Sequence, residues 1–207
     1  MCRCVRYATG CSISSQGGNC MGTEDRRVQK TRQIIDHACW SLMQEKSFEY
    51  ITISDIADRA NINRATFYRY YVDKYEWLEK HVDELLQELI DVVGAAKETV
   101  DSKILLDTFT ATFQHFDQHF DIYTVMLSNH GTRFFMDRFH QIQIRMLKES
   151  LRNTYSQPQD TEFMAHCIAS AVAGLVEWWI RNDRPIPVEQ MAAKTLGVHQ
   201  ALQLYKK

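Results

Sequence analysis

The sequence predicts an all-α protein built as a small N-terminal three-helix head and a larger helical body. Proline is scarce, with three residues in 207, and the first is Pro158. Nothing upstream of it therefore interrupts a helix by removing an N–H or clashing with a carbonyl. Apolar residues recur three and four apart, and no alternating apolar–polar run bounded by turn residues suggests a strand. Helix-starting signals recur at Thr52 with Asp55, at Asn63, and at Asp73 with Glu76.

Residues 1–22, MCRCVRYATGCSISSQGGNCMG, hold four of the six cysteines and lack the apolar core of a secretory signal. They are expected to be a disordered extension, or to lie upstream of a true start at Met21. Cys2, Cys4, Cys11 and Cys20 match no familiar zinc spacing. The head is expected over 23–73 and the body over 74–207. Cys39 and Cys167 fall on helical patterns and read as reduced core thiols of a cytoplasmic protein.

The first helix should run from about Arg26 to Lys46, with Ile34, Ile35, Ala38, Cys39 and Leu42 facing inward and Phe48 and Ile51 closing a small core. The segment TISDIADRANINRATFYRYYVDK, residues 52–74, then reads as two short helices around a tight turn. Thr52 and Asp55 form a capping-box-like start. Ile53, Ile56, Ala57 and Ala60 make one apolar stripe. Asn61 stands where the chain must turn, and Asn tolerates a left-handed backbone. Asn63 caps the next helix, in which Phe67 and Tyr71 share the buried face. Arg64, Ala65, Thr66, Tyr68, Arg69 and Tyr70 cover the other faces. This is the layout of a helix-turn-helix, whose second helix enters the major groove of DNA.

The stretch from Arg26 to Leu86 resembles the N-terminal domain of the tetracycline-repressor (TetR) family of bacterial transcription regulators. The resemblance is carried by Ile34, Ile35 and Ala38, by Ile51 to Ala57, and above all by Ala65 to Tyr71 followed by Asp73-Lys74. The family's turn usually carries Gly; here it carries Asn61. The resemblance implies a homodimeric, ligand-responsive DNA-binding regulator, read here as a repressor of a palindromic double-stranded operator. Thr66, Tyr68 and Tyr70, with Ala65, would lie along the groove, and Arg64 and Arg69 would meet a guanine edge or a phosphate. Thr52, Ser54 and Lys74 would hold the backbone. Lys74, in the first turn of the next helix, is expected to act as a phosphate clamp.

Charge agrees with a protein that touches DNA at one end. The net charge is −2, but residues 26–74 hold nine Lys/Arg against six Asp/Glu, and residues from 75 onward hold thirteen against eighteen. No membrane span is expected, because the most apolar stretch, Phe163 to Ile180, contains His166, Ser170 and Glu177 and reads as a core helix.

Helices in the body are expected near Lys74–Val93, Lys103–His119, Ile122–Ser128, Thr132–Tyr155, Asp160–Asn182 and Val188–Tyr205, with breaks at Asn129-His130-Gly131, Gln157-Pro158 and Asp183–Pro187. Phe109, Phe113, Phe116, Tyr123, Met126, Phe135 and Trp178 are expected to line a pocket for a small hydrophobic or aromatic effector, a reading that rests mainly on the resemblance; plain core packing is the alternative. His115 and His119, four apart on one helix face, could hold a metal, but no third ligand is visible in the sequence, so no metal or other cofactor is expected. Ala165, Ala169 and Ala173, with Gly174, form a small-residue stripe that allows another helix to approach closely. The resemblance implies that the last two helices form a four-helix interface between two subunits.

The chain carries no Glu-x-x-His pair, no phosphate-binding Gly loop and no G-x-S-x-G elbow, so an enzyme is not expected. The rival to a regulator is a helical interaction module that keeps the head but binds neither DNA nor an effector.

Overall fold

The computed structural model describes residues 23–94, 101–128, 133–152 and 154–204. The expected N-terminal extension with its four cysteines, and the break at residues 129–131, lie outside them. Among the described residues the chain forms nine α-helices and one 3-10 turn, Phe48–Tyr50. The head comprises α1 (Thr23–Glu45), α2 (Ile53–Ala60) and α3 (Arg64–Tyr68). The body comprises α4 (Lys74–Gly94), α5 (Ser102–Gln118), α6 (Phe120–Leu127), α7 (Phe134–Ser150), α8 (Pro158–Arg181) and α9 (Val188–Gln203). Several bounds differ from expectation, α1 starting at Thr23 and α6 at Phe120 among them. Helix α8 starts two residues early because Pro158 occupies its first turn, where a missing N–H costs nothing. Helix α7 ends at Ser150, five residues short.

The head core is built on one face of α1. Ile35, Ala38, Cys39, Trp40, Leu42 and Met43 are buried there against Phe48, Ile51, Ile56, Ala57 and Phe67. Ile34, expected inside, is 38% exposed, while Trp40 and Met43, outside the expected set, are buried. Burial, then the neighbouring Asp36 carboxylate, pushes the Cys39 thiol well above its ordinary pKa, so it is an inert core residue.

Helices α1 and α4 are tied together through Asp36. Its Oδ1 accepts from Trp77 Nε1 at 2.9 Å and from the Tyr71 hydroxyl at 3.5 Å, and lies 3.0 Å from His81 Nε2. Burial disfavours a charged His81, but the hydrogen bond and charge of Asp36 outweigh it, and the pKa is raised above 6.5. The folded state therefore holds this proton more tightly than the unfolded chain. The stabilisation is fully present below pH 6.5 and drains away as pH rises through the raised value. Urea unfolding should show His81→Gln weaker than the parent by about 1–2 kcal/mol at mildly acidic pH, with the gap narrowing at alkaline pH. A gap that is the same at both would contradict the pair.

Head and body also meet where α1 packs against α6, while α5 pairs with α9 and α7 with α8. By length and composition α8 could cross a membrane. Yet Met164, Ala165, Ile168, Ala169, Val172 and Val176 are buried inside the chain, as the core-helix reading expects.

Candidate nucleic-acid interface

The corner between α2 and α3 is fixed by local chemistry. The Thr52 hydroxyl accepts from the Asp55 N–H at 3.1 Å, and Asp55 Oδ2 accepts from the Thr52 N–H at 2.7 Å, a complete capping box. Lys46 joins the same carboxylate at 2.8 Å. Hydrogen bonds from Lys46 and Thr52 hold the Asp55 carboxyl down at about 2. Asn61 ends α2 in the left-handed region at φ 52°, ψ 48°, and Asn63 Oδ1 accepts from the Thr66 N–H at 2.8 Å to start α3. Arg59 clamps α2 onto α1 through both Glu45 oxygens, at 3.0 and 2.7 Å.

Burial divides α3 and the turn after it into two sides. Phe67 and Tyr71 are 0% and 3% exposed, whereas Arg64, Ala65, Tyr68 and Arg69 face solvent, Tyr68 at 55%. Arg64 reaches back to the Ser54 hydroxyl at 3.0 Å, bringing both to one edge of the motif. Thr66 is half-buried and its hydroxyl donates to Asn63 Oδ1 at 3.0 Å. Tyr70 is half-buried against the core, with the Arg32 guanidinium 5.9 Å from its ring centre. Thr52 is exposed at the start of α2 but spends its hydroxyl on the cap.

Lys74 does a different job from the one expected. Its ammonium donates to the carbonyls of Phe48, Glu49 and Ile51 at 2.8, 2.7 and 2.8 Å, which uses all three protons. Burial lowers its pKa despite the nearby Glu49, Asp55 and Asp73. It is a staple between the start of α4 and the turn after α1, not a phosphate clamp. The sequence signal missed it because the partners are backbone groups more than twenty residues away. Lys74→Met should cost about 2–3 kcal/mol in unfolding free energy by leaving carbonyls unpaired. It should leave the salt slope of DNA binding unchanged; a slope reduced by about one would restore the clamp.

In the body, the aromatic residues expected to line a pocket pack on one another. Phe109, Phe113, Phe116, Tyr123, Met126 and Phe135 are all buried. Ring centres lie 4.6 Å apart for Phe116–Tyr123 and 4.9 Å for Tyr123–Phe135, so these rings pack on one another. Trp178 does not join them: it is 46% exposed, and its neighbour Trp179 faces inward onto Phe113 at 5.4 Å. A cleft of about 420 Å3 lies elsewhere, between the ends of α7 and α8, lined by Lys148, Arg152, Tyr155 and Glu162 among others. The small-residue stripe also turns inward: Ala165, Ala169 and Ala173 are buried within the chain.

The expected histidine pair acquires an acidic neighbour. Glu88 of α4 reaches His119 Nε2 at 3.2 Å, and His115 Nε2 lies 2.8 Å from the Tyr123 hydroxyl. Burial, then the neighbouring His119, lowers the His115 pKa to about 4, so it is neutral at physiological pH. Nothing in the sequence marks Glu88, which sits on another helix.

Residues 34–80 match the family model described as bacterial regulatory proteins, tetR family, and residues 104–199 match a transcriptional regulator C-terminal region. The HTH-type transcriptional regulator YxbF of Bacillus subtilis (strain 168) is 27% identical over 180 residues, 83% of this chain and 45% of that protein. The chain thus spans about half the length of that relative. The HTH-type transcriptional activator FasR of Mycolicibacterium smegmatis is 23% identical over 199 residues, covering 87% of this chain and 85% of FasR. A TetR transcriptional regulator from Streptococcus agalactiae 2603V superposes with a TM-score of 0.63 at 26% identity, over 85% of this chain and 97% of that one. These relatives are regulators rather than enzymes, and the chain belongs to the TetR family of bacterial transcriptional regulators.

Proposed function

We propose that the protein acts as a homodimer on a two-fold symmetric DNA operator, with one α3 in the major groove of each half-site, and that a ligand in the body changes its affinity. The observation that carries the reading is the two-sidedness of α3: Phe67 and Tyr71 anchor it while Arg64, Tyr68 and Arg69 face solvent. Guanidinium groups can read guanine edges or neutralise phosphates, and helix N-terminal residues are those that reach base edges. Ser54, tied to Arg64, and Thr52 stand at the flank where a backbone would pass.

The dimer reading is supported by the outer face of α8. Phe163, Cys167, Ser170, Ala171, Gly174 and Trp178 fall on one exposed or half-exposed stripe, with large rings at its ends and small residues between. A Cβ added at Gly174, or at Gly197 of α9, would meet nothing within 4 Å. The single chain has no use for these helix-interior glycines, which cost about 1 kcal/mol each relative to Ala. A helix from a second copy, approaching closely, would use both.

Repression is the sign we favour, although the relative FasR is named an activator. Occupying a promoter needs only the DNA contacts, whereas activation needs a further surface for the polymerase. The rings of Phe116, Tyr123 and Phe135 touch one another, so a hydrophobic effector entering among them would have to part them. Any effector moves the heads only by binding two arrangements of α4 unequally. Gel shifts with the promoter region of the protein's own gene test the DNA assignment. Tyr68→Ala should weaken specific binding at least tenfold while leaving the oligomer intact; unchanged affinity would overturn it.

A further inference from the structure

We propose that Glu88, His115 and His119 bind a divalent transition-metal ion of the zinc type, and that this ion is an effector of the regulator. The regulatory half of this inference rests on the function proposed above. The three side chains each bring one ligand atom, and these atoms lie within 4.8 Å of one another. The Glu88 oxygen and His119 Nε2 are already at 3.2 Å. Tetrahedral zinc with bonds near 2.0–2.1 Å separates its N and O ligands by roughly 3.3 Å, so this pair already has the required spacing. Drawing in His115, whose ligand atom lies within 4.8 Å of the other two, needs a movement of up to about 1.5 Å.

The chemistry of the set fits such an ion. Two imidazoles and one carboxylate leave a fourth position open to water or a further ligand. His115, in the last turn of α5, and its C-cap His119 are four apart, with ring centres 4.7 Å apart. With the Tyr123 hydroxyl on His115 Nε2, the nitrogen left for an ion is Nδ1, and that hydrogen bond would fix the ring's orientation and tautomer. Exposure falls from Glu88 at the surface, through half-buried His119, to buried His115, which gives an ion a way in.

The location gives occupancy a consequence. Glu88 lies on α4, the helix that begins at Lys74 shortly after α3, while His115 lies on α5 and His119 caps its C-terminal end, at the junction with α6. Tyr123 belongs to α6, which packs against α1 of the head. An ion bridging Glu88 to the histidines fastens α4 to the body and favours one placement of the head over another.

The test uses the full-length protein after chelator treatment, titrated with Zn(II) in competition with a chromophoric chelator and separately with Co(II). One equivalent should bind through nitrogen and oxygen, giving cobalt d–d bands without the charge-transfer bands that thiolate ligands from the N-terminal cysteines would add. Glu88→Gln and His119→Gln should each weaken that equivalent at least 100-fold, while His140→Gln, in a separate surface pair with His166, should not. No bound equivalent, or binding unchanged in both variants, overturns the site. Operator affinity should change at least fivefold on adding Zn(II) to the parent and not in the Glu88→Gln variant; an unchanged parent overturns the effector role. A protein that binds zinc at these residues but no DNA supports the site and overturns the function proposed above.

Discussion

Gly174→Leu should convert the protein to a monomer and abolish tight operator binding without harming the fold. Within one chain the new side chain projects into open space, and replacing a helix-interior glycine raises helix propensity by roughly 0.8–1 kcal/mol. Thermal stability of the isolated subunit should therefore hold or rise. Against a closely packed partner helix, the same side chain occupies space the second backbone needs. An isologous interface meets the fault from both subunits at once. Sedimentation equilibrium should show the dimer weakened at least 100-fold, and DNA affinity should fall with it because each head then meets one half-site alone. A Gly174→Leu protein that still dimerises like the parent would remove the outer face of α8 from the interface.

Phe67→Ala should unfold the head selectively. The Phe67 ring is 0% exposed and lies 5.6 Å from that of Tyr71, at the point where α3 is pinned to the core. Truncating a buried phenylalanine costs about 3–5 kcal/mol, a large share of the 5–15 kcal/mol typical of a whole domain. The ring neighbours of Phe67 are Tyr68 and Tyr71, so the loss should fall first on the head, although one continuous apolar core joins head and body. Limited proteolysis should then cut between α1 and α4 while the body fragment survives. Unfolding within about 1 kcal/mol of the parent would contradict the place given to Phe67.

Short-range chemistry was legible in the sequence, and long-range placement was not. Thr52, Asp55, Asn61 and Asn63 act within four residues of their partners, so spacing alone revealed the capping box, the left-handed turn and the start of α3. Phe67 and Tyr71 could be placed inside because they share a helix face. The faces of α8 could not be assigned the same way, since the buried alanine stripe and the exposed Phe163–Trp178 stripe are both apolar. Trp178 and Trp179 differ by one position, about 100° of helix, yet one faces solvent and the other the core. The three carbonyls of Lys74 and the carboxylate beside His119 come from distant segments, which no local pattern encodes.

The central claim is that two α3 helices, one per subunit, sit in successive major-groove faces of a symmetric site. Hydroxyl-radical footprinting of the operator, with stoichiometry measured on the same fragment, tests it most directly. The account predicts two equivalent protected patches centred about 34–36 Å apart, or a multiple of that, at two chains per site. One chain on a single unsymmetric patch, or protection that survives loss of Arg64 and Tyr68, would contradict it.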